Sequence, residues 1–471
     1  MKSKLMSLLA ALSLSTLAVP AIAEDAHPNM PFGAKALDIY RTVIEFKSTA
    51  EHGETPAMAR YLADQFRDGG FADDDIFLFE IGNAAGLIVR YHGDGTSGKA
   101  PVSISAHMDV VEANPADWVR DPFKLTEEDG YFFARGAADD KLGVVATTVA
   151  FLRLKAEGWV PNRDLIIAFS GDEETGMLTT RALVQDHLAL TNSEFVLNAD
   201  SGGATLPDGG GRPVSFAMQA AEKTYATWQL TITNPGGHSS RPRNDNAIYE
   251  LADALIKIRE FKFPVRANEL TRRYFKFTGE RTPGPKGEAM QAFAADPTDA
   301  DAVQVLRADP GIVGTTGTTC VATMLAGGHA ENALPQSATA TVNCRIFPGE
   351  GVAATEATLR DVVGNDAVEF NMISNPTETD PSPLREDVLA ALQKAVDNKF
   401  PGLEIVPYMS SGGTDGMHFR AAGIPSYGVN GGYSKAGDTF AHGLNERILQ
   451  QSFYDNLAHW YVLLKAIAGD S

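Results

Sequence analysis

The strongest constraint in the sequence is a repeated pattern in which a short apolar run leads into a segment with acidic or histidine side chains. Four runs follow this pattern, and they lead to His107, to Asp139, to Glu173 and Glu174, and to Asp200. In a doubly wound sheet the loops after the strands meet along one edge, where ligands bind outside the carboxyl ends of the strands. The pattern therefore predicts an α/β fold whose doubly wound, mixed sheet carries a candidate site at that edge.

The first run, Val102 to Ala106, ends in His107-Met108-Asp109. Residues two apart in an extended segment point to the same side, so His107 and Asp109 project together. A carboxylate that orients an imidazole is what a histidine metal ligand needs. A polar pair at an ordinary strand end would look the same, and the pair alone does not separate the two explanations.

The other acidic segments also have purely structural explanations. Asp139 and Asp140 precede an apolar pattern from Leu142 to Leu154 that predicts a buried helix, and either acid could simply cap that helix. Glu173 and Glu174 follow a strand-like run, and a solvated turn would account for them. The case for function depends on finding these acids together at one sheet edge.

The pattern changes after residue 220. The segment from Lys223 to Thr233 alternates as a half-buried strand does, and Asn246 to Phe261 predicts an amphipathic helix. A poorly patterned stretch follows at about 262–317. With the elements after it, the order becomes strand, helix, strand, strand, helix, strand, which suits a small antiparallel sheet with two helices on one face. We therefore expect an inserted α+β domain of the ferredoxin-like type.

The N-terminus has the features of a secretory signal. Lys2 and Lys4 precede an apolar stretch from Leu5 to Val19, and Ala21-Ile22-Ala23 forms a small-residue cleavage pattern before Glu24. A membrane anchor would need a longer apolar run, of about 20 residues. We expect an exported protein, periplasmic or secreted, that is not bound to a membrane once the signal is cleaved.

Charge and cysteine content limit the partners and the compartment. The formal net charge of −20 makes nucleic acid a poor partner and mainly favours solubility. Two cysteines, Cys320 and Cys344, are too few for a disulfide scaffold. Both lie in strand-like runs at equal distance from Asn332, so a hairpin could place them opposite each other as a disulfide. Two small buried thiols fit the sequence equally well.

Six segments together carry a family resemblance. They are His107-Met108-Asp109, Gly136-Ala137-Ala138-Asp139-Asp140-Lys141, Asp172-Glu173-Glu174, Asp200, Gly236-Gly237-His238-Ser239-Ser240 and His442-Gly443-Leu444-Asn445-Glu446. In this order they resemble the co-catalytic zinc hydrolase family, which includes carboxypeptidase G, carnosinase-type dipeptidases, the vacuolar Gly-X carboxypeptidase, aminoacylase-1 and succinyl-diaminopimelate desuccinylase. The resemblance covers nearly the whole mature chain.

The resemblance implies a catalytic domain interrupted by a lid domain. The expected segments are a signal peptide at 1–23, the first part of the catalytic domain at 24–220, the lid at 221–384 with its insertion at about 262–317, and the second part of the catalytic domain at 385–471. In dimeric relatives the lid also forms the subunit contact. We therefore expect that a homodimer through the lid domain could form.

The resemblance also implies a role for each motif residue. One metal ion would be held by His107, Asp139 and Asp200, and the other by Asp139, Glu174 and His442, with Asp139 as the bridge. Asp109 would orient His107, and Glu173 would act as the general base. Asp139 is preferred to Asp140 as the bridge on the family pattern, because the sequence alone does not separate them.

The chemistry of these side chains agrees with the implied roles. Two imidazoles and three carboxylates form a ligand set suited to zinc, with cobalt or manganese as possible substitutes. Two divalent ions at about 3.5–4 Å from each other can share a water molecule and lower its pKa. A neighbouring carboxylate can then take the proton and deliver it to the leaving amine. We expect two zinc ions per chain.

The resemblance places further residues near the substrate. His238 would stabilise the oxyanion from the lid or from the neighbouring subunit, although a histidine in such a loop could equally be an ordinary exposed residue. Arg345 and Asn332 match positions that contact the substrate carboxylate and carbonyl, and the planar guanidinium of arginine suits a carboxylate. Gly413 and Thr414 lie in a loop expected to line the cleft.

These expectations converge on an exported zinc-dependent exopeptidase, either a dipeptidase or a carboxypeptidase, acting on short peptides with a free carboxylate. Asp200 favours peptide substrates, because peptidase members of the family tend to have Asp there, whereas deacylating and glutamate-releasing members tend to have Glu. An aminoacylase-like hydrolase of N-acyl amino acids is the alternative on the same scaffold. A peptide-binding protein without activity is a third hypothesis, but such a protein has no need of Glu173 as a proton carrier.

Overall fold

The computed structural model describes residues 30–207, 209–438 and 440–469. The predicted signal peptide lies outside the described residues. In the first part of the chain the helices are α1 (Gly33–Glu45), α2 (Thr55–Asp68), α3 (Lys141–Ala156), α4 (Leu178–Val184) and α5 (Leu188–Thr191). The strands of this part are β1 (Ile76–Ile81), β2 (Ala84–Tyr91), β3 (Val102–His107), β4 (Thr126–Glu128), β5 (Tyr131–Phe133), β6 (Leu165–Ser170), β7 (Phe195–Asn198) and β8 (Gly203–Leu206).

The remaining elements follow in two groups. The middle part contains β9 (Phe216–Glu222), β10 (Thr224–Thr233), β11 (Gly237–His238), α6 (Ala247–Glu260), α7 (Glu269–Arg281), α8 (Pro285–Ala295), α9 (Ala300–Arg307), β12 (Thr319–Gly327), β13 (Ala333–Leu334), β14 (Ser337–Ile346), α10 (Val352–Val363) and β15 (Glu369–Met372). The last part contains α11 (Glu386–Asp397), β16 (Ile405–Ser410), α12 (Gly416–Ala421), β17 (Ser426–Gly428), β18 (Tyr433–Lys435), β19 (Arg447–Leu449) and α13 (Gln450–Ala468). Short 3-10 helices lie at Asp73–Asp75, Pro115–Asp117 and Val313–Thr316.

The larger part of the described chain is built around a ten-stranded sheet. Its order is β1-β2-β6-β3-β7-β17-β9-β8-β18, and β16 pairs with β9. Strand β3 runs parallel to both β6 and β7, whereas β1 and β2 pair antiparallel. The helices α1, α2, α3, α11 and α13 share the core on one face, and α4 and α12 pack on the other. The predicted α/β class with a doubly wound, mixed sheet is confirmed.

One of the four strands that lead to candidate site residues is not part of this sheet. β5, which precedes Asp139, pairs antiparallel with β4 and with β19 in a separate three-stranded sheet. The expectation that all four loops follow strands of one sheet is therefore wrong for Asp139. The pairing of β5 with β19 has its own effect, because it joins the Asp139 loop to the segment that follows His442.

The middle part of the chain forms a second, antiparallel sheet. Its order is β12-β14-β10-β15, and α6 and α10 pack together on one face around Trp228 and Leu359. The alternation predicted for residues 223–233 matches the burial of alternate side chains along β10. This strand order and the two helices on one face are the ferredoxin-like arrangement that the order of elements predicted.

The chain passes from the large sheet to the second sheet at a single residue. β9 ends at Glu222, β10 begins at Thr224, and Lys223 lies between them. The Lys223 side chain is buried, and its Nζ donates hydrogen bonds to the carbonyl oxygens of Gly314 (3.0 Å) and Gly317 (2.7 Å). These bonds tie the connection between the sheets to the end of the 262–317 segment.

The 262–317 segment is more regular than its sequence indicates. Helices α7, α8 and α9 pack around Phe275, Phe293 and Leu306 as a small separate core. α7 begins with a reciprocal capping box between Asn268 and Thr271, and it lies against β16 of the large sheet. The poorly patterned stretch is thus a three-helix unit attached to the large sheet.

The two cysteines form a disulfide bond. Cys320 in β12 lies directly opposite Cys344 in β14, and their sulfur atoms are bonded. Of the two explanations that the sequence left open, the structure therefore supports the cross-strand disulfide. Separately, within the described ranges no helix combines the length and apolarity that a membrane span requires.

Candidate metal centre

Three parallel strands of the large sheet bring the first site residues together. β3 lies between β6 and β7, and His107 at the end of β3 is in register with Ser170 at the end of β6. Glu174 follows β6 and Asp200 follows β7. The carboxyl ends of the three strands meet at one edge, so their loops converge as predicted.

The candidate ligands form one continuous cluster. His107 Nε2 lies 3.0 Å from Asp139 Oδ1 and 3.5 Å from Asp200 Oδ1. His442 Nε2 lies 3.2 Å from Asp139 Oδ2 and 2.9 Å from Glu174 Oε1. The two oxygens of Asp139 thus face two different imidazoles, which is the arrangement that a bridging carboxylate requires. The structure brings together all five residues that the sequence proposed as metal ligands.

Asp140 remains close to this cluster but contacts only one side of it. Its carboxylate is fully buried and accepts a hydrogen bond from Gly143 N (3.2 Å), which caps α3. It also lies within ligand distance of His107 and Asp200. In the recorded contacts only Asp139 lies against both His107 and His442, so the geometry favours Asp139 as the bridge.

His107 presents the correct nitrogen for a metal ligand. Its Nδ1 lies 3.0 Å from the main-chain oxygen of Asp109 and 3.5 Å from the Asp109 carboxylate. A carbonyl oxygen only accepts, so Nδ1 carries the proton and Nε2 faces the cluster with its lone pair. The main chain of Asp109 therefore orients the ring more closely than its carboxylate does.

The Asp109 carboxylate has a second set of partners in the next loop. Its Oδ1 accepts a hydrogen bond from Glu173 N and its Oδ2 one from Glu174 N, both at 3.0 Å. Asp109 is buried, so these bonds are shielded from water. Asp109 thus fixes the main chain from which Glu173 and Glu174 project.

The electrostatics of the cluster call for a cation. Burial raises the pKa of Asp200 to about 7, and burial likewise raises the pKa of Glu174 to about 7. Hydrogen bonding to Asp139 raises the pKa of His442 to about 9, with further contributions from Glu174. Carboxylates crowded in a buried site need compensating positive charge. Two imidazoles and three carboxylates are a donor set that fits divalent zinc, so the residues present fit the metal that the motifs imply.

Glu173 lies beside the cluster without contacting either imidazole in the recorded ion pairs. It is buried, and burial raises the pKa of its carboxyl group well above the usual value. A carboxylate with a raised pKa accepts and returns protons more readily near neutral pH. This position and environment suit the general base that the sequence proposed.

A cleft of about 500 Å³ opens next to Glu173; we call it the main cleft. It is lined by Glu173, Glu174, Arg181, Lys223, Arg345, Gly413 and His418, among others. The Arg345 guanidinium lies 4.6 Å from the centre of the Tyr225 ring. Of the four predicted substrate residues, Arg345 and Gly413 thus line the same cleft as the predicted base.

Thr414 lies inside the protein and not on the cleft surface. Its hydroxyl donates to Glu222 Oε1 (2.7 Å), its main-chain N donates to Glu222 Oε2 (2.9 Å), and its hydroxyl accepts from Asn198 Nδ2 (3.0 Å). With its hydrogen-bonding groups occupied in this way, Thr414 supports the loop that carries Gly413.

His238 and Asn332 lie close together on neighbouring segments. Ser239 N donates to the Asn332 carbonyl oxygen (3.0 Å), and β11 pairs with β13 beside them. His238 is exposed, and its Nδ1 accepts a hydrogen bond from Ser240 N (3.1 Å). The hydrogen bonds of His238 are local, and among the described contacts neither His238 nor Asn332 touches a proposed metal ligand.

The structure also identifies a positioning residue that the sequence did not single out. Glu446 is fully buried; its Oε1 accepts hydrogen bonds from Ala138 N (2.8 Å) and Asp139 N (3.1 Å). Its Oε2 pairs with Arg135 Nη1 at 2.6 Å. Glu446, which lies four residues after His442, therefore supports the loop that carries Asp139. In the sequence, that position is the feature that could have indicated this role.

Comparison with known proteins gives the family. Residues 103–466 match the sequence profile of peptidase family M20/M25/M40. The chain belongs to this family. The resemblance inferred from the motifs is confirmed, and members of the M20 family are metal-dependent hydrolases of amide bonds.

The chain is similar to curated relatives of at least two kinds. The chain is 27% identical to the N-fatty-acyl-amino acid synthase/hydrolase PM20D1 of Xenopus tropicalis over 77% of this chain and 72% of the relative. It is 29% identical to the probable carboxypeptidase S-like 2 of Dictyostelium discoideum over 71% of this chain and 64% of the relative.

Solved M20 structures share the fold. The M20 metallo-carboxypeptidase from Sulfolobus solfataricus superposes with a TM-score of 0.70 at 20% identity, over 92% of this chain and 99% of that one. The dipeptidase Dug1p from Saccharomyces cerevisiae superposes with a TM-score of 0.67 at 16% identity, over 93% and 96%.

Proposed function

We propose that this M20 protein is an exported, zinc-dependent exopeptidase that releases the C-terminal amino acid from short peptides. The observation that carries the proposal is the main cleft, in which Glu173 and Glu174 share one cavity with the unpaired guanidinium of Arg345. A free carboxylate bound by Arg345 would place the preceding amide bond near the cluster. This arrangement favours trimming from the carboxyl end.

Two zinc ions fit the ligand cluster, and cobalt or manganese could substitute. His107, Asp139 and Asp200 would hold one ion, and Asp139, Glu174 and His442 the other. Bound divalent ions of this kind lower the pKa of a water molecule and polarise a carbonyl oxygen. Asp139 contacts the histidines of both positions, which supports a shared ligand.

The chain's own residues then perform the proton transfer. Glu173 takes a proton from the attacking water and delivers it to the leaving amine nitrogen. Its raised pKa suits both steps, and the Asp109 carboxylate keeps its main chain in place. Arg345 holds the carboxylate of the leaving residue. We include His238 as an oxyanion donor from a second subunit, because its ring is exposed and its hydrogen bonds within its own chain are local.

A second cavity supports hydrolysis of N-acyl amino acids as the other candidate function. It measures about 410 Å³, adjoins Asp139 and Asp200, and is lined largely by apolar or small residues such as Leu142, Ala217 and Ile448. Asp139 borders this second cavity, and Glu174 borders the main cleft. Both carboxylates lie within 3.2 Å of His442 Nε2. The cavities therefore meet at the cluster.

The two tyrosine hydroxyls of this second cavity are hydrogen-bonded within the protein. The Tyr408 hydroxyl lies 3.0 Å from Ser201 Oγ, and the Tyr433 hydroxyl donates to Asp455 Oδ2 at 2.6 Å. Among the described lining residues, the only carboxylates are the proposed ligands Asp139 and Asp200. A free ammonium group would find no other carboxylate among these lining residues, so the cavity favours an acyl group or an apolar side chain.

A panel of substrates tests both candidates. N-acylated dipeptides, free dipeptides and N-acyl amino acids with acyl chains of increasing length, all ending in leucine, would be incubated with the zinc-loaded protein and read by mass spectrometry. The proposal expects release of leucine from peptides. If the protein cleaves N-acyl amino acids but no di- or tripeptide, the result would support hydrolysis of N-acyl amino acids as its function. Trimming from the amino end would contradict the carboxypeptidase assignment.

Arg345→Met should raise KM and lower kcat/KM by about two orders of magnitude, because the substrate carboxylate would lose its partner in a partly desolvated cleft. Steady-state kinetics on one N-acylated dipeptide measure the effect. A substrate with a C-terminal amide should be equally poor for the wild type and the variant. Arg360→Met is the matched control, since Arg360 also lies over a ring, that of Phe370 at 4.7 Å. Equal effects of the two substitutions would contradict the role of Arg345.

Export and dimer formation belong to the same proposal. The Cys320–Cys344 disulfide supports an oxidising compartment, and cell fractionation would test it. β12 is an edge strand with exposed Val321, Met324 and Leu325, which supports pairing with the same strand of a second copy. A monomeric mass in solution at micromolar concentration would contradict the dimer.

A further inference from the structure

The main cleft contains two arginines that have no carboxylate partner. Arg181 lies in α4 and Arg345 in β14, and both line the cleft beside Glu173. Within the described ranges, no carboxylate oxygen is recorded within the 4.0 Å ion-pair distance of either guanidinium. This is notable in a chain with 60 acidic and 40 basic residues, where acidic partners are abundant.

Arg181 has a fixed position next to the loop that carries Glu173 and Glu174. Its Nη2 donates to the Gly176 carbonyl oxygen (2.6 Å), and its Nε is buried with no recorded partner. The start of α4 is fixed by Asp172, whose carboxylate accepts from Leu178 N (2.7 Å) and Thr179 N (2.9 Å). The guanidinium therefore has a defined position and unused hydrogen-bonding capacity.

The neighbours of Arg181 do not neutralise its charge. His418 is buried beside it; burial, and then the charge of Arg181, lower the pKa of this imidazole to about 4, so the ring is neutral. Lys223 directs its Nζ to the carbonyl oxygens of Gly314 and Gly317. The acids of the cleft, Glu173 and Glu174, lie at the proposed base and ligand positions.

A half-buried guanidinium without a counter-charge has a desolvation cost that a bound carboxylate would offset. A substrate with a single carboxylate satisfies only one of the two arginines. Arginine also recognises carboxylates by two parallel hydrogen bonds, which gives geometric selectivity. Because both groups line one cleft of about 500 Å³, a leaving residue with two carboxylates would offer each arginine a partner.

We propose that the enzyme prefers substrates whose C-terminal residue is acidic, aspartate or glutamate, with the α-carboxylate at Arg345 and the side-chain carboxylate at Arg181. This inference rests on the proposed release of a C-terminal residue. Arg181 is then a specificity-determining residue for that reaction. The competing explanation is that Arg181 only supports the loop through its bond to Gly176.

The test compares N-acylated dipeptides that differ only in a C-terminal Glu, Gln or Leu. For the wild type, kcat/KM with Glu should exceed that with Gln by about tenfold or more, because only the carboxylate neutralises Arg181. Arg181→Gln should abolish this ratio, and Arg181→Lys should retain part of it. Arg212→Gln is the control, because Arg212 also donates to main-chain oxygens, those of Phe400 and Pro401, but does not line the main cleft.

Each outcome has a distinct meaning. Equal kcat/KM for Glu and Gln in the wild type, or an Arg181→Gln variant that loses all three substrates by the same factor, would overturn the inference. Failure to release any C-terminal residue would overturn the proposed function instead. If Arg181→Gln does not fold, inhibition of the wild type by free glutamate and by free glutamine is compared instead. We expect stronger inhibition by glutamate, and equal inhibition would overturn the inference.

Discussion

Replacing Glu173 by alanine should lower kcat by about 10²- to 10⁴-fold while leaving the bound metal in place. Glu173 contacts neither His107 nor His442 in the recorded ion pairs, yet it lines the main cleft next to Glu174, which does contact His442. Its buried carboxyl group has a raised pKa and is the acid best placed to carry the proton. Kinetics on an N-acylated dipeptide and metal analysis of the same sample measure the two quantities.

The neighbouring glutamate provides the contrast for this prediction. Glu174→Ala removes a proposed ligand, so it should lower both metal content and activity. Glu173→Gln keeps the shape of the side chain but cannot accept the proton, so it should behave as Glu173→Ala does. Near-normal activity of Glu173→Ala, or metal loss equal to that of Glu174→Ala, would contradict the separate roles of the two residues.

Replacing Glu446 by alanine should destabilise the protein by about 3–5 kcal/mol, because it leaves the buried Arg135 without its counter-charge. The same substitution removes the acceptor for Ala138 N and Asp139 N, so the loop that carries Asp139 loses its support. We therefore expect weaker zinc binding as well as easier unfolding. Urea unfolding and zinc titration of the variant measure the two effects.

Two further variants separate these effects. Glu446→Ala combined with Arg135→Met should be less destabilised than the sum of the single variants, because the buried charge is then absent. Glu128→Ala breaks the exposed pair with Arg120 and should change stability by less than about 1 kcal/mol. A Glu446→Ala protein as stable as Glu128→Ala would show that the buried pair does not support the loop.

The sequence predicted β3, β6 and β7 because each of these strands is a buried apolar run. The helices α1 and α2 follow from periodicity alone, since one stripe of each is buried. β5 was misplaced because three residues hold no information about their partners. Its pairing with β19 joins segments more than 300 residues apart, and no local pattern encodes it.

The ligand cluster was predictable in composition but not in geometry. Motif order named His107, Asp139 and His442, but only the structure shows that Asp139 faces both imidazoles and that Asp140 does not. Thr414 was expected on the cleft surface because its loop was expected to line the cleft. Its burial follows from its bonds to Glu222, a residue almost 200 positions away.

We propose that Asp139 would be a shared ligand of two divalent ions and that hydrolysis at this centre would depend on both. The most direct test is a titration of metal-free protein with zinc, followed by release of the C-terminal residue from an N-acylated dipeptide. We expect no release without metal, full activity at two equivalents of zinc per chain, and loss of both ions in Asp139→Ala. Full activity in the metal-free protein, or saturation at one equivalent with Asp139→Ala still active, would contradict the account.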